Sequence, residues 1–239
     1  MFFNETCMTM KKIMLLVAAL MMAYAVNAQN DLRREWLGTF SSISLGGDMK
    51  VTLVPIEEGG QPMLIVKAED REFSKLKYTI NNKGELSVRE STNRNRTTRT
   101  EIEIHFVAVD AIEVVGSDVE VKGLIEAPIF DVKVLNGGFF KAEIDTQDLL
   151  IEATGQSTVD IEGRARYLIA DVVLAKMDLR ELETMSAEVQ ASQRGEVSVF
   201  CTERLAATAN LGGTVFYRGN PSILRANSKL LGSSINSIE

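Results

Sequence analysis

Apolar and polar residues alternate with a period of two along most of the chain from residue 36 onward. In residues 155–174, GQSTVDIEGRARYLIADVVL, two alternating runs follow one another, preceded by a glycine and separated by a short break. Alternation of this kind is typical of β-strands that bury one face. No run keeps a period of 3.6 residues beyond about two helical turns, so the pattern predicts an all-β protein.

Six alternating runs lie between residues 36 and 110, and the glycine-bearing segments EEGGQ and NNKGE separate some of them. Short alternating runs joined by such turns are typical of antiparallel hairpins. The runs are FSSISLG, MKVTLVPI, PMLIVKAE, LKYTI, ELSVRE and TEIEIHFVAV. We predict that residues 36–110 form antiparallel hairpins that act as a cap on the rest of the domain.

A repeat occupies residues 111–239. Copies of one pattern follow each other in steps of 18 or 19 residues, and a fixed period indicates a stacked architecture. The copies begin at Ile112, Phe130, Leu149, Leu168, Ala187, Leu205 and Leu224. One coil cannot cover its own apolar face, whereas stacked coils share a core. The sequence therefore predicts a parallel β-solenoid, similar to a β-helix, of about seven coils of 18–19 residues, within one domain of residues 36–239.

The alternation also predicts which side chains point into the solenoid, because residues i, i+2 and i+4 of a strand share a face. Charged neighbours such as Glu152 and Asp160 are predicted to face solvent. The predicted inward residues are Phe130, Val132, Val134, Leu149, Ile151, Ala153, Leu168, Ala170, Val172, Ala187, Val189, Ala191, Leu205, Ala207 and Ala209 on the first strands, and Val119, Val121, Phe140, Ala142, Ile144, Val159, Ile161, Val197, Val199, Val215 and Tyr217 on the second strands.

Glycine recurs where the two strands of a coil meet. A tight corner requires backbone angles that glycine adopts without steric cost, which explains the recurrence. The corner glycines are Gly116, Gly137, Gly155, Gly195, Gly212 and Gly232. The fourth coil, KMDLREL, lacks one.

The first 28 residues have the layout of a secretory signal peptide: Lys11 and Lys12 precede an apolar run, and the small-residue site VNA follows it. We predict cleavage between Ala28 and Gln29, with residues 29–35 as a short lead into the domain. A membrane anchor is the alternative, but the apolar run of residues 13–26 is shorter than the roughly 20 residues that a spanning helix needs. Cys7 precedes the apolar run, which disfavours a lipid anchor. We therefore expect an exported chain without a stable membrane anchor, located in the periplasm, at the outer cell surface or in the medium.

The charge and cysteine content narrow the classes of partner and cofactor. Removal of Lys11, Lys12 and Glu5 with the first 28 residues changes the formal charge from −7 to −8, which disfavours nucleic acid as a partner. Cys201 is then the only cysteine, so an intrachain disulfide is excluded, and its place after Val197 and Val199 predicts a buried thiol. Aromatic residues make up 6% of the chain, which predicts a core of Val, Ile, Leu and Ala.

Few residues have the spacing that catalysis or metal binding requires. His105 is the only histidine, and its alternation with Ile104 and Phe106 places it on the polar side of a strand. A histidine-based metal site or a nucleophilic triad would need partners that the sequence lacks. The glycine pairs near residues 46, 137 and 212 lack the Lys-Ser/Thr ending of a phosphate loop. We predict no catalytic residue, no metal and no cofactor.

A carbohydrate-active enzyme, a polysaccharide lyase or hydrolase on the solenoid, is the catalytic alternative. It would use outward carboxylates on neighbouring coils, because such enzymes work with paired acids. The candidate acids are Glu143, Asp160, Glu162 and Asp178. Against this, Glu120, Lys141, Asp160 and Arg180 are predicted to form a ladder of alternating sign up the stack, which favours a solvated face.

A basic loop is a second candidate surface. The segment STNRNRTTR contains three arginines and follows a fourth, but it has no aromatic residue on which a base would stack, so a solvated hairpin tip is the favoured interpretation. The arginines are Arg89, Arg94, Arg96 and Arg99.

Residues 36–239 resemble a family of bacterial secreted domains, the putative auto-transporter adhesin, head GIN domain family. The resemblance rests on FSSISLGGDMKVTLV, TEIEIHFVAVDAIEVVGSDVEV, the serial G-x-x-x-V-x-I coils and the closing LGGTVFYRGNPS. It implies a secreted or surface β-solenoid and carries no catalytic residues. Family members usually have GSG at the coil corners, whereas this chain has VGSD, NGGF, GQST, AKMD, QRGE and LGGT. A function that depends on a serine-glycine corner surface is therefore not expected here.

These observations favour an exported, non-catalytic binding or structural module of the cell envelope, with a glycan or a protein as its partner. The carbohydrate-active enzyme remains the alternative. A third hypothesis is an assembly subunit that self-associates through its terminal strands. A groove lined by unpaired carboxylates would favour the enzyme, and an uncovered terminal strand would favour the assembly subunit.

Overall fold

The computed structural model describes residues 32–67, 75–91, 99–229 and 232–238, and its regular structure there consists entirely of β-strands. The strands are β1 Leu32–Trp36, β2 Ser42–Gly46, β3 Met49–Pro55, β4 Met63–Lys67, β5 Leu76–Ile80, β6 Glu85–Glu90, β7 Thr100–Phe106, β8 Ala111–Val115, β9 Asp118–Leu135, β10 Phe139–Thr154, β11 Thr158–Val173, β12 Lys176–Ser192, β13 Glu196–Asn210, β14 Thr214–Arg218, β15 Ile223–Lys229 and β16 Ser234–Ser237. The predicted all-β class is confirmed.

Five long strands, β9 to β13, form the body of the molecule. Each one follows one flat side of the stack, bends, and continues along the opposite side, pairing in parallel with its neighbours along both halves. Strands β14 and β16 extend the stack on the first side and β15 extends it on the second. The predicted parallel β-solenoid of about seven coils is confirmed.

The solenoid has two broad outer surfaces, which we call face A and face B. Face A is the outward side of residues 118–121, 139–144, 158–162, 176–180 and 196–200, continued by β14 and β16. Face B is the outward side of residues 131–135, 148–154, 167–173, 186–192 and 204–210, continued by β15. In the N-terminal part, β3 and β7 continue face A, and β2, β6 and β8 continue face B.

The predicted alignment of the repeats agrees with the strand register except at the first step. The matched pairs are Phe130 with Leu149, Leu149 with Leu168, Leu168 with Ala187, Ala187 with Leu205, and Leu205 with Leu224. The prediction that Ile112 matches Phe130 is wrong, because Ile112 pairs with Val132. A shift of two residues leaves every side chain on its own face, so the hydrophobic pattern cannot detect it.

The core lies between the two flat sides and is built from the residues predicted to point inward. All of the predicted inward residues are buried except Tyr217, which packs partly buried against the core. Phe106, Phe130 and Phe140 are its largest fully buried side chains. Each fully buried Val, Ile, Leu or Phe contributes roughly 1.5–3 kcal/mol by its removal from water, so the stack is stabilised by many moderate contributions.

The N-terminal part contains antiparallel pairs, as predicted, between β4 and β7 and between β5 and β6, and a further one between β1 and β4 that was not predicted. It also contains parallel pairs that were not predicted. Strand β2 pairs in parallel with β6 and β8, and β3 pairs in parallel with β7 and β9. The parallel ladder therefore begins before residue 111. Alternation reports which face of a strand is buried and carries no information on strand direction, so residues 36–110 could not be divided from sequence.

Strand β1 was not predicted, since residues 29–35 were assigned to a lead. Arg33 pairs with Val66 and Glu35 with Leu64, so both charged residues occupy the inward side of this edge strand. Glu35 accepts a hydrogen bond from Tyr78, and burial together with this carboxylate raises the pKa of the Tyr78 phenol. An edge strand with inward charges has no apolar alternation, which is why the pattern missed it. Such charges oppose the addition of a further strand.

Small residues occupy one position at the corner of every coil, directly before the strand on face A. They are Ser117, Gly138, Ser157, Ala175, Gly195, Gly213 and Ser233. At Gly195 the prediction of a special backbone angle is wrong, because Gln193 and Arg194 have the positive φ angles, 52° and 65°. Glycine is required there by close approach, since a Cβ atom would lie 2.4 Å from the Val172 carbonyl oxygen.

The serines of this corner position are structural. The Ser117 hydroxyl donates to the Gly47 carbonyl at 2.6 Å, and the Ser157 hydroxyl donates to the Val134 carbonyl at 2.8 Å. Both serines are buried. In the coil without a glycine, Leu174 adopts the left-handed conformation with φ of 53°.

Candidate functional site

The four candidate acids lie on face A as two register pairs. Asp160 is directly opposite Asp178, and Glu143 is directly opposite Glu162, each pair on adjacent coils. The predicted ladder of alternating sign is therefore wrong at its fourth member, because Asp178 and not Arg180 follows Asp160. The register between β11 and β12 shifts after this position, in the coil that lacks its corner glycine.

Cations neutralise the pair formed by Asp160 and Asp178. The Arg180 side chain donates from Nε at 2.9 and 3.1 Å and from one terminal nitrogen at 2.5 Å to the Asp178 carboxylate. Lys141 Nζ lies 3.4 Å from the Asp160 carboxylate. The hydrogen bonds from Arg180 lower the pKa of Asp178, so this carboxyl stays ionised at neutral pH. A general acid needs the opposite, a carboxyl whose pKa is raised toward the working pH.

A groove crosses face A over this pair. Its volume is about 520 Å³, and it extends from β10 to β14. The side chains that line it on the outward side are Phe139, Thr158, Asp160, Lys176, Asp178, Arg180, Glu196, Ser198 and Phe216. The acids are thus combined with cations, hydroxyl groups and two phenyl rings. We call this feature the face A groove.

Sequence reasoning did not single out Phe139, Phe216 or the groove. The alternation contained the signal, because Phe139 and Phe216 both stand at positions where other coils carry polar residues. What the sequence lacked was the register across the fourth coil, which brings β10 to β14 into one continuous row.

A second cavity, of about 440 Å³, lies where the coils bend between the two faces. Arg164 bridges to Asp145 at 2.6 Å within it, and Arg166 lies over the ring of Tyr167 at 5.4 Å. Its lining includes Glu183 and Met185. The charge pair at its mouth is exposed to solvent and contributes little to binding or stability.

The remaining candidate residues, His105 and Cys201, have contacts that are typical of a structural role. The Nε2 atom of His105 lies 2.6 Å from the Glu103 carboxylate on the outer side of β7. Cys201 is buried, as predicted, and its thiol donates to the Arg204 carbonyl at 3.0 Å. Among the residues that the structure describes, no group of three or more His, Cys, Asp and Glu is arranged to hold a metal ion.

Two of the four arginines of the basic loop region are described, and both form ion pairs. Arg99 donates to Asp48 at 2.5 Å and also to Asp118. Arg89 donates to the Ser44 hydroxyl at 3.1 Å and lies 3.8 Å from Glu113. Arg94 and Arg96 lie outside the described residues, as do Ala28 and Gln29 of the predicted cleavage site.

The surroundings of Asp171 on face B disfavour its ionised form, whereas those of Asp178 favour it. It lies opposite Glu152 on one side and Gln190 on the other. Partial burial, with the like charge of Glu152, raises the pKa of the Asp171 carboxyl. Lys133 lies 3.3 Å from Glu152 and offsets that charge in part.

In the described segments, no helix has the length and hydropathy that a membrane crossing requires. The parallel stack with two broad outer faces defines the class of the protein, a β-solenoid. The chain belongs to the putative auto-transporter adhesin, head GIN domain family, whose sequence model matches residues 39–221. This confirms the resemblance found in the sequence. None of the curated proteins compared with the chain matches it.

Several solved structures have the same fold. A putative adhesin from Bacteroides fragilis superimposes with a TM-score of 0.79 at 19% identity, covering 87% of this chain and 96% of that one. A putative adhesin from Parabacteroides merdae gives 0.69 at 11% identity, with the same coverage of 87% and 96%. A putative lipid binding protein from Parabacteroides distasonis gives 0.63 at 16% identity, covering 89% and 98%. These similarities establish the fold.

Proposed function

We propose that this chain is an exported, non-catalytic binding module of the cell envelope and that it binds its partner on an outer face of the solenoid. The family is named for adhesins, and the sequence begins with the layout of a signal peptide. A stack of coils offers an extended, rigid surface, which repeat proteins commonly use for binding.

The pairing of two candidate acids, Asp160 and Asp178, with cations is the observation that carries this proposal. Glycoside hydrolysis needs one carboxyl that holds a proton and a second carboxylate nearby. Asp178 is held in its ionised form by Arg180, and Asp160 is paired with Lys141. Charges that neutralise one another on a face suit recognition of a ligand more than proton transfer to it.

Turnover is the measurement that separates binding from catalysis. Residues 29–239 are purified and incubated with acidic glycans, neutral glycans and peptidoglycan fragments, and both retention and released products are measured by mass spectrometry. The proposal expects binding to at least one envelope component without products. Release of unsaturated or reducing ends that disappears in Asp160→Asn or Glu162→Gln would establish the enzyme alternative.

Self-association is a second candidate function, favoured by the state of strand β15. All seven of its residues are exposed, and within the described ranges it pairs only with β13. Leu224 stands in line with the buried Leu205, yet 44% of it is exposed. An uncovered edge with apolar inward positions is a surface on which a second copy of the chain can add its own strand.

A further inference from the structure

We propose that the face A groove binds a neutral, linear oligosaccharide that lies along the stack, across successive coils. The inference rests on the proposed binding function and specifies its site and its ligand class. It is carried by the placement of aromatic rings, by the length of the groove and by the balance of its charges.

Phenylalanine is concentrated on the outer side of face A. In the described residues of the solenoid coils, the outward-facing phenylalanines are Phe139, Phe200 and Phe216, and all three lie on this face. Phe200 is covered by the guanidinium group of Arg218, 4.4 Å from the ring centre. Phe139 and Phe216 border the face A groove. An apolar ring on a solvated sheet face gains free energy when a ligand covers it.

The two rings stand at opposite ends of the groove. Phe139 lies on β10 and Phe216 on β14, so four ladder steps separate their strands. At about 4.8 Å per step, the distance along the stack is about 19 Å. This span matches a chain of several sugar units better than a single one. The C–H face of a pyranose ring is apolar and packs on a phenyl ring at each end.

The floor between the rings supplies hydrogen-bonding groups of both kinds in fixed positions. Asp178 offers carboxylate oxygens and Arg180 offers N–H groups, and their mutual hydrogen bonds at 2.9 and 3.1 Å hold both side chains in place. The hydroxyl groups of Thr158 and Ser198 are also in the lining. Neighbouring hydroxyls of a sugar both donate and accept, so they complement such a mixed set.

The charge of the groove selects a neutral ligand. Three carboxylates, from Asp160, Asp178 and Glu196, are interleaved with the cations of Lys176 and Arg180. The whole chain has a formal charge of −7, so an acidic polysaccharide would meet repulsion at long range and would find no excess of cations in the groove. The structure therefore favours neutral glycans over uronates or sulfated chains.

The experiment is calorimetric titration of residues 29–239 with defined neutral sugars of increasing length. The probes are the disaccharide and hexasaccharide of the cello-, xylo-, manno- and chito-oligosaccharide series, with oligogalacturonate as the acidic probe. Phe216→Ala, Phe139→Ala and Arg180→Ala test the site. Tyr167→Ala, an exposed aromatic ring on face B, is the matched control. Melting temperatures verify that each variant is folded, and Phe216→Leu or Phe139→Leu replaces the alanine variant at the same position if that variant is not folded.

We expect at least one hexasaccharide to bind and its disaccharide to bind more weakly. Each phenylalanine variant should lose about fivefold in affinity, because one ring contact contributes roughly 1 kcal/mol. Tyr167→Ala should leave the affinity unchanged. The absence of binding by every neutral probe, or a preference for oligogalacturonate, would overturn the inference. Binding that is lost in Tyr167→Ala but kept in the face A variants would move the site to face B and would leave the proposed binding function intact.

Discussion

At the scale of single residues, neighbours one position apart occupy opposite environments. Val159 is fully buried, whereas the next side chain, Asp160, is 45% exposed and paired with Lys141 at 3.4 Å. The same contrast holds for Ile151, which is 3% exposed, and Glu152. Substitutions at these four positions therefore test which side chains belong to the core and which belong to the solvated face.

Val159→Asp is expected to lower the free energy of unfolding by more than about 3 kcal/mol, because it places an unpaired charge between stacked coils. Ile151→Asp should do the same. Asp160→Asn and Glu152→Gln should change it by less than about 1 kcal/mol, since each alters only charges on the solvated surface. Chemical denaturation of the four variants measures the difference. Similar losses in both pairs would contradict the assignment of the faces.

The two perturbed aspartates predict opposite responses to pH. The raised pKa of Asp171 means that the folded state binds its proton more readily than the unfolded state, so this carboxyl favours folding at acid pH and opposes it once the pH exceeds the folded pKa. The lowered pKa of Asp178 favours folding above the ordinary aspartate range, and this contribution is lost as the pH falls through the folded pKa.

Asp171→Asn is therefore expected to raise the melting temperature at pH 7, and Asp178→Asn to lower it. The Asp171 difference should shrink as the pH falls from the raised folded pKa to about 4, where an ordinary aspartate takes up its proton, and the Asp178 difference should shrink as the pH falls below about 4. Melting curves of the two variants and the unmodified chain from pH 3 to pH 8 provide the comparison. Shifts of the same sign at pH 7 would show that the two environments are not distinct.

At the scale of strands and corners, close contact between coils restricts which residues fit. Gly195→Ala is expected to reduce stability strongly, because its Cβ would lie 2.4 Å from the Val172 carbonyl oxygen and backbone cannot move away cheaply. Gly137 is the matched control. Its φ is 79°, and a Cβ atom there would have no contact within 4 Å among the described residues beyond its chain neighbours, so Gly137→Ala should cost only about 1–2 kcal/mol for its backbone angle. Equal melting temperatures in the two variants would contradict this account of the corners.

This scale also shows what the sequence could and could not predict. Alternation identified the buried faces, and the period identified the parallel stack, because both follow directly from side-chain direction and coil length. The two-residue shift at Ile112 and the parallel pairing of β2 and β3 leave the alternation unchanged, so they could not be read from it. Likewise, the four acids were correctly placed outside, but the pairing of Asp178 with Arg180 depends on the local path of one coil.

At the scale of the whole molecule, the two ends of the stack differ. On the face A side, β1 is the edge strand of the N-terminal end; its inward positions carry Arg33 and Glu35, and these charges oppose the addition of a further strand there. The other end presents β15 with Leu224 exposed. This asymmetry favours contact between the β15 ends of two copies, and such a contact gives a closed dimer. It disfavours head-to-tail contact, which would grow into a filament.

Leu224→Lys is expected to convert a concentration-dependent dimer of residues 29–239 into a monomer, because it places a charge in the inward row of the edge strand. Arg225→Ala, which changes the outward side of the same strand, should leave the dimer unchanged. Light scattering during size-exclusion chromatography over a range of protein concentrations measures both. A chain that is monomeric at every concentration, or a dimer unaffected by Leu224→Lys, would contradict self-association through β15.

The central claim, that the chain acts as an exported binding module, is tested most directly by its location and its intact mass in the producing cell. Cytoplasm, periplasm, outer envelope and medium are separated, and the protein is recovered from each fraction for mass spectrometry. The account predicts a chain that begins at Gln29 and is found in the envelope fractions or in the medium. A chain that retains the apolar run of residues 13–26 and remains in the cytoplasm would contradict it.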